Sequence, residues 1–146
     1  MKYLVFIALF SVGLIACTKK GQADQKLKEV DSSTIDKEHP AKMTFKDTIY
    51  DFGTIAHGEV ITHEFEFTNT GESPLIIVDA KSSCGCTIPS WPKEAIMPGE
   101  SGSIKVKFDS NNKKGLDINK TVNIAANTYP NTTNSVYITG KVAGHD

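Results

Sequence analysis

Residues 104–109 read Ile-Lys-Val-Lys-Phe-Asp, and this stretch decides the fold. Ile104, Val106 and Phe108 fall on one side of an extended chain; Lys105, Lys107 and Asp109 fall on the other. Successive side chains of a strand point to opposite faces, so strict alternation marks a strand with one face in a core and one in water. The same period recurs outward in both directions. Ile61, Phe65 and Phe67 oppose Thr62, Glu64 and Glu66. Val122, Ile124 and Ala126 oppose Thr121, Asn123 and Ala125. Val136, Ile138 and Val142 share a phase with Gly140, opposite Tyr137, Thr139 and Lys141. Leu75-Ile76-Ile77-Val78 is apolar on both phases, which suits a strand covered on both sides or one at a sheet corner.

Turn residues separate these runs: Gly53, Gly58, Asn69-Thr70-Gly71, Pro98-Gly99, Asn111-Asn112 and Tyr129-Pro130-Asn131. No stretch after residue 43 keeps a helical period, and no parallel βαβ unit or internal repeat is visible. Short strands spaced in this way predict an all-β domain over residues 44–146, a sandwich or a barrel.

A set of motifs makes the prediction more specific. They are Asp51-Phe52-Gly53-Thr54-Ile55, Gly58-Glu59, Phe65-Glu66-Phe67-Thr68-Asn69-Thr70-Gly71, Pro74-Leu75-Ile76-Ile77, Ser83-Cys84-Gly85-Cys86-Thr87, Pro98-Gly99-Glu100 and Ile104-Lys105-Val106-Lys107-Phe108. Together, over Phe45 to Val142, they resemble the domain of unknown function family 1573 of secreted bacterial proteins. That family is similar in turn to immunoglobulin-like modules of the abnormal-spindle and hydin type. The resemblance implies an immunoglobulin-like β-sandwich of seven or eight antiparallel strands, and adhesion or scaffolding among relatives. It implies no established activity.

Ahead of the domain the chain changes character. Met1-Lys2 is a short positive start, and Tyr3 to Ile15 is almost unbroken apolar sequence. A bilayer core of ~30 Å needs about 20 helical residues, so this run is too short to span it. It fits the apolar region of a secretory signal over residues 1–16. The run ends Leu14-Ile15-Ala16-Cys17, which resembles a bacterial lipobox. That resemblance implies cleavage before Cys17 and acylation of its thiol and new amino group, giving several acyl chains and a stable membrane anchor. Residues 17–43 are polar, with only scattered Leu27, Val30 and Ile35, and read as the lipidated cysteine followed by a flexible tether. Thr18 is not the aspartate that resembles an inner-membrane retention signal, and no acidic run follows Cys17. The expected location is therefore the cell envelope, at the outer membrane facing the periplasm.

Charge narrows the partners. The net charge is -1 and all 16 basic residues are lysine, so neither a global field nor an arginine fork favours nucleic acid. A protein partner in the envelope is expected instead.

The chemistry of interest is Cys84-Gly85-Cys86. With Cys17 acylated, these are the two remaining thiols. In an oxidising compartment an intramolecular bridge is the first expectation. Positions i and i+2 of a strand stand about 6.6 Å apart at Cα, the upper end of what a disulfide tolerates. Gly85 lets the backbone bend to close that gap. So small a ring removes little chain entropy. Two further readings stay open. One is a redox-active pair; the other is a soft-metal site for Cu(I) or Zn(II), with His57 and His63 as candidate auxiliary ligands. His63 shares the inward phase of Ile61 and Phe65, which suits a packed core histidine; His57 lies in a turn. His39 and His145 lie outside the patterned core. Lone Trp91, between Pro89 and Pro92, is expected to plug the core.

Catalytic patterns fail on inspection. His63-Glu64 begins like a zinc-protease helix, but Phe67 occupies the second histidine position and the segment reads as strand. Asp109 to Lys120 begins like a calcium loop, but Lys113 and Lys120 occupy ligand positions. The expectation is a binding or scaffold module with no catalytic residue, and a thiol-redox or metal-handling accessory as the alternative.

Overall fold

The computed structural model describes residues 27–85 and 87–144. A 3-10 turn, Ser32–Thr34, precedes eight strands. They are β1 (Met43–Phe45), β2 (Ile49–Ile55), β3 (Val60–Asn69), β4 (Ile77–Ser82), β5 (Thr87–Ser90), β6 (Ser101–Asp109), β7 (Asp117–Ala126) and β8 (Thr133–Val142). Two four-stranded sheets face each other, ordered β1-β3-β6-β5 and β2-β8-β7-β4. This is the predicted immunoglobulin-like sandwich. One pairing departs from the all-antiparallel expectation: β2 runs parallel to β8. The two strands are far apart in sequence, so no crossover helix is needed to set them side by side.

The alternating phases fill the space between the sheets. Phe65 and Phe67 of β3 and Ile104, Val106 and Phe108 of β6 meet Val122 and Ile124 of β7 and Val136, Ile138 and Val142 of β8. Each such side chain contributes roughly 1.5–3 kcal/mol on leaving water. Aromatic rings stitch the layers together. Phe52 of β2 stacks on Phe108 of β6 with centroids 5.6 Å apart, and Tyr50 of β2 stacks on His63 of β3 at 3.8 Å. Gly140 leaves room for the Phe52 ring, because a Cβ there would strike the ring and the Gly53 carbonyl. Gly53 is not a turn residue: it sits within β2, at a bulge where the register to β8 shifts, with φ +67°. Its N–H donates to Asp51 Oδ1 at 2.9 Å.

Leu75-Ile76-Ile77-Val78 proves to be a corner. Leu75 bridges to Ile96 beyond the sheet, β4 begins at Ile77, and Ile76 is exposed.

The larger difference lies before β1. The stretch predicted as a free tether is docked from Leu27 onward. Lys28 N–H donates to Asp79 Oδ2 at 2.8 Å, Asn127 Nδ2 donates to the Thr34 carbonyl at 3.4 Å, and Glu72 N–H donates to the Pro40 carbonyl at 2.9 Å. Ala41 bridges Thr128 and is buried, as is Met43. Residues 27–30 face Ala125, Thr132 and Thr133, so Ala125 is buried although its phase points away from the core. Low hydrophobicity did not leave this arm free, because main-chain hydrogen bonds to the Asp79 and Asn127 side chains and to the Glu72 N–H hold it until Ala41 and Met43 enter the core. The arm starts at the β4 edge and passes the β7–β8 loop before entering β1. The signal residues 1–16, Cys17 and residues 18–26 lie outside the described residues. Among the described residues no helix is long and apolar enough to cross a membrane.

Candidate functional site

The sandwich has two unlike ends. At one, buried amides tie the loops down. Asn69, fully buried, donates through Nδ2 to the carbonyls of Ser73 and Ile96, both at 2.9 Å. Its Oδ1 accepts from the N–H groups of Gly71 at 3.0 Å and Lys42 at 3.3 Å. Asn127 does the same for the next loops, donating to the Pro74 carbonyl at 3.0 Å and accepting from Ile76 N–H at 2.8 Å. Sequence reasoning took Asn69-Thr70-Gly71 for a plain turn and passed over Asn127. An asparagine at a strand end was the available signal, but local pattern does not tell a solvated turn from a buried junction.

The other end carries the residues singled out for chemistry. Thr87, first residue of β5, lies opposite Phe108, next to last of β6, so the Cys84 loop stands beside the β6–β7 loop. Ser110 of that loop donates through its hydroxyl to the Ala56 carbonyl at 3.1 Å, which brings in the β2–β3 turn with His57. Gly58 and Asn111 approach each other across the same gap. Parts of three loops, residues 56–59, 83–85 and 110–116, thus share one end of the sandwich. The run from Cys84 to Pro92 does not stay there, because β5 carries it toward the other end.

Cys84 is disulfide-bonded and half-buried, between the end of β4 and the start of β5. Cys86 and Cys17 lie outside the described residues. The Cys84 Sγ is 3.7 Å from the Thr87 hydroxyl, and Cys84 N–H donates to Ser82 Oγ at 3.4 Å. A sulfur held in a disulfide has no thiolate to give a metal. Of the two auxiliary ligands expected from the sequence, His63 is not drawn to it either. His63 lies opposite Val106, which lies opposite Pro89, so all of β6 stands between His63 and β5, about 10 Å of sheet. His63 is a packed ring, stacked on Tyr50 and edge-on to Phe65 at 4.7 Å. Burial holds its pKa below the usual histidine value, against the opposing pull of Asp47 and Glu64. His57 is exposed in its turn. His39 pairs with Glu72 at 3.0 Å, and that hydrogen bond raises its pKa; His145 lies outside the described residues. Among the described residues no three His, Cys, Asp or Glu side chains converge on a metal position.

Trp91 is half core and half surface. One side packs against the buried cluster, and Lys93 Nζ sits 3.3 Å from the ring centroid on the other.

A depression of about 740 Å³ lies on the outer face of the first sheet, over Thr44, Lys46, Glu66, Thr68, Ser101 and Ser103. Its polar groups satisfy one another. Thr44 and Thr70 hydroxyls meet at 2.7 Å, Thr68 and Ser101 hydroxyls at 2.9 Å, and Ser103 donates to Glu64 at 3.0 Å. Lys105 pairs with Glu64 at 2.9 Å. Hydrogen bonds from Lys105 and then Ser103 keep the Glu64 carboxyl below its usual pKa. That is a solvated, salt-bridged sheet face.

The family model described as "Protein of unknown function (DUF1573)" matches residues 43–142. No curated protein sequence matches the chain. Among solved structures, a protein of unknown function from Porphyromonas gingivalis W83 is similar at TM-score 0.62 and 18% identity, over 69% of this chain and 46% of that one. The ASH/PapD-like domain 7 of human CEP192 is similar at TM-score 0.53 and 12% identity, over 73% and 89%. The secreted serine protease VesC from Vibrio cholerae is similar at TM-score 0.53 and 14% identity, over 68% and 23%. The chain thus spans less than half of the Porphyromonas protein and under a quarter of the protease. At these identities the likeness is one of fold.

Proposed function

Since this chain belongs to the DUF1573 family, which is defined by its domain and not by a reaction, we propose that it is an envelope lipoprotein whose sandwich is a binding or scaffold module. Cys17 carries the lipid, residues before it form the cleaved signal, and the domain faces the periplasm from the outer membrane. Its partner is another envelope protein. The observation that carries this reading is the clustering of segments 56–59, 83–85 and 110–116 at one end, opposite the end stitched by Asn69 and Asn127. Loops gathered on a rigid scaffold are where recognition residues concentrate.

Two measurements test it. Cells fed an alkyne-tagged fatty acid should label the wild-type chain, and Cys17→Ala should abolish the label and release the protein from washed membranes. A photo-crosslinking residue at position 113, in the β6–β7 loop, should trap a partner in living cells; the same residue at position 46, on the salt-bridged face, should not. Label surviving in Cys17→Ala would end the anchor assignment. Equal trapping at both positions would end the loop assignment.

A further inference from the structure

The two outer faces of the sandwich differ in kind. On the β1-β3-β6-β5 sheet the outward side chains include ions that pair with one another, Lys105 with Glu64 and Lys46 with Glu66. On the β2-β8-β7-β4 sheet the middle is uncharged. Asn119, Thr121 and Asn123 of β7 stand beside Thr139, Tyr137 and Ser135 of β8 in three successive rows. They point outward, because the alternate residues Ile118, Val122, Ile124, Val136 and Ile138 fill the core. Ile49 of β2 extends the middle row on the far side of Tyr137. The charges of this face stand at its margins. Lys81 lies on edge strand β4 with Asp79 3.6 Å away, Asp117 lies opposite Lys141 at one end, and Asp51, on edge strand β2, accepts the Gly53 N–H.

The hydrogen-bonding groups of the middle are largely unspent. Ser135 donates to Asn123 Oδ1 at 2.8 Å. The side chains of Asn119, Thr121, Tyr137 and Thr139 make no hydrogen bond to any described residue. Tyr137 is 38% exposed and Ile49 61%. From strand spacing and rise, the patch covers about 13 Å along the strands and about 10 Å across them. Even with its rim that is on the order of 300 Å², well short of the ~800 Å² that each partner gives to a standard protein interface. A protein partner also needs a dry centre of aromatic or arginine anchors. Tyr137 is the one aromatic in these rows, and the chain has no arginine.

An uncharged, hydroxyl-rich ligand is the better complement to a neutral face. The rim of a sugar ring carries hydroxyls that donate and accept, as amides and hydroxyls of the protein do. Its flat side carries weakly positive C–H bonds, which suit the electron-rich face of an aromatic ring. We propose that the outer face of the β2-β8-β7-β4 sheet binds a neutral polysaccharide. A sugar ring lies against Tyr137, and its hydroxyls pair with Asn119, Thr121, Asn123 and Thr139. Asp51 at the margin disfavours acidic polymers. This binding goes beyond the anchored-scaffold reading and does not depend on it.

Affinity electrophoresis tests the proposal, with the full-length chain in non-ionic detergent. Each gel is cast with a single polymer: dextran, galactomannan, mixed-linkage β-glucan or arabinoxylan, and polygalacturonate as the acidic counterpart. At least one neutral polymer should retard the protein, and polygalacturonate should not. Tyr137→Ala should weaken the binding about tenfold, while Tyr137→Phe, which keeps the ring, should lose about threefold at most. Asn119→Ala, at an exposed position, should also weaken it by about threefold or more. Thr62→Ala, on the opposite face, should leave it unchanged. Melting temperatures within about 3 °C of the wild type separate lost binding from lost fold, and Asn119→Ala carries the test if Tyr137→Ala melts lower. Retardation by no neutral polymer, equal retardation by polygalacturonate, or binding indifferent to both Tyr137→Ala and Asn119→Ala would overturn the proposal. So would capture of a protein in living cells by a photo-crosslinking residue at position 121. None of these results bears on the lipid label at Cys17 or on trapping at position 113, so the two readings fail separately.

Discussion

His63 is a titratable ring placed where its charge is unwelcome. The neutral ring stacks on Tyr50, and burial keeps its pKa below the ordinary value. Below about pH 6.5 the unfolded chain therefore binds a proton that the folded chain resists. Stability from this site is complete above that pH, falls as pH drops through the window, and levels off once the folded protein also takes the proton. His39 acts in the opposite sense. Its pKa is raised by Glu72, so its contribution is present in acid and is lost as pH rises through the folded value. His63→Phe keeps a stacking ring and removes the charge. In thermal melts its advantage over the wild type should widen from pH 7.5 to pH 5; a constant offset would refute the assignment. Asn69 makes a sharper case. Asn69→Ala removes four hydrogen bonds that its buried amide makes to two carbonyls and two N–H groups, and should cost about 3 kcal/mol in a urea titration.

The N-terminal arm depends on few contacts, so it should be separable from the sandwich. Asp79→Ala removes the acceptor for Lys28 N–H. Hydrogen exchange over residues 28–34 should then accelerate at least tenfold, with β7 and β8 unchanged, because local opening scales with the bonds that resist it. If β7 exchanged with the arm, the arm would be part of the cooperative core. How far the elements were legible follows from which forces leave a mark in sequence. Burial leaves period two, so β3, β6, β7 and β8 could be read directly. Main-chain hydrogen bonds to distant side chains leave no period, so the arm read as tether and Asn69 as turn. The parallel β2–β8 pair is a matter of tertiary placement and has no local signature. Of the candidate site, the cysteine pair was visible and the inward phase of His63 was visible. The meeting of segments 56–59, 83–85 and 110–116 at one end was not, because it depends on where the strands finish.

At the scale of the molecule, the two sheets share a single filling of side chains and should unfold as one. Phe108 touches both layers through Phe52 and lies fully buried. Phe108→Ala should cost about 3–5 kcal/mol and move the fluorescence of Trp91 and the far-ultraviolet circular dichroism together; separate transitions would mean that the sheets are independent units. The docked arm changes what a lipid on Cys17 would do. Measured to residue 44, the leash would be 27 residue steps, or about 95 Å at most; measured to Leu27, it would be ten steps, or about 35 Å at most. The volume the domain can patrol goes as the cube of that reach, so it shrinks roughly twentyfold. With that anchor, a partner held on the same membrane nearby would meet the domain at a correspondingly higher effective concentration, while one anchored beyond that radius would never be met at all.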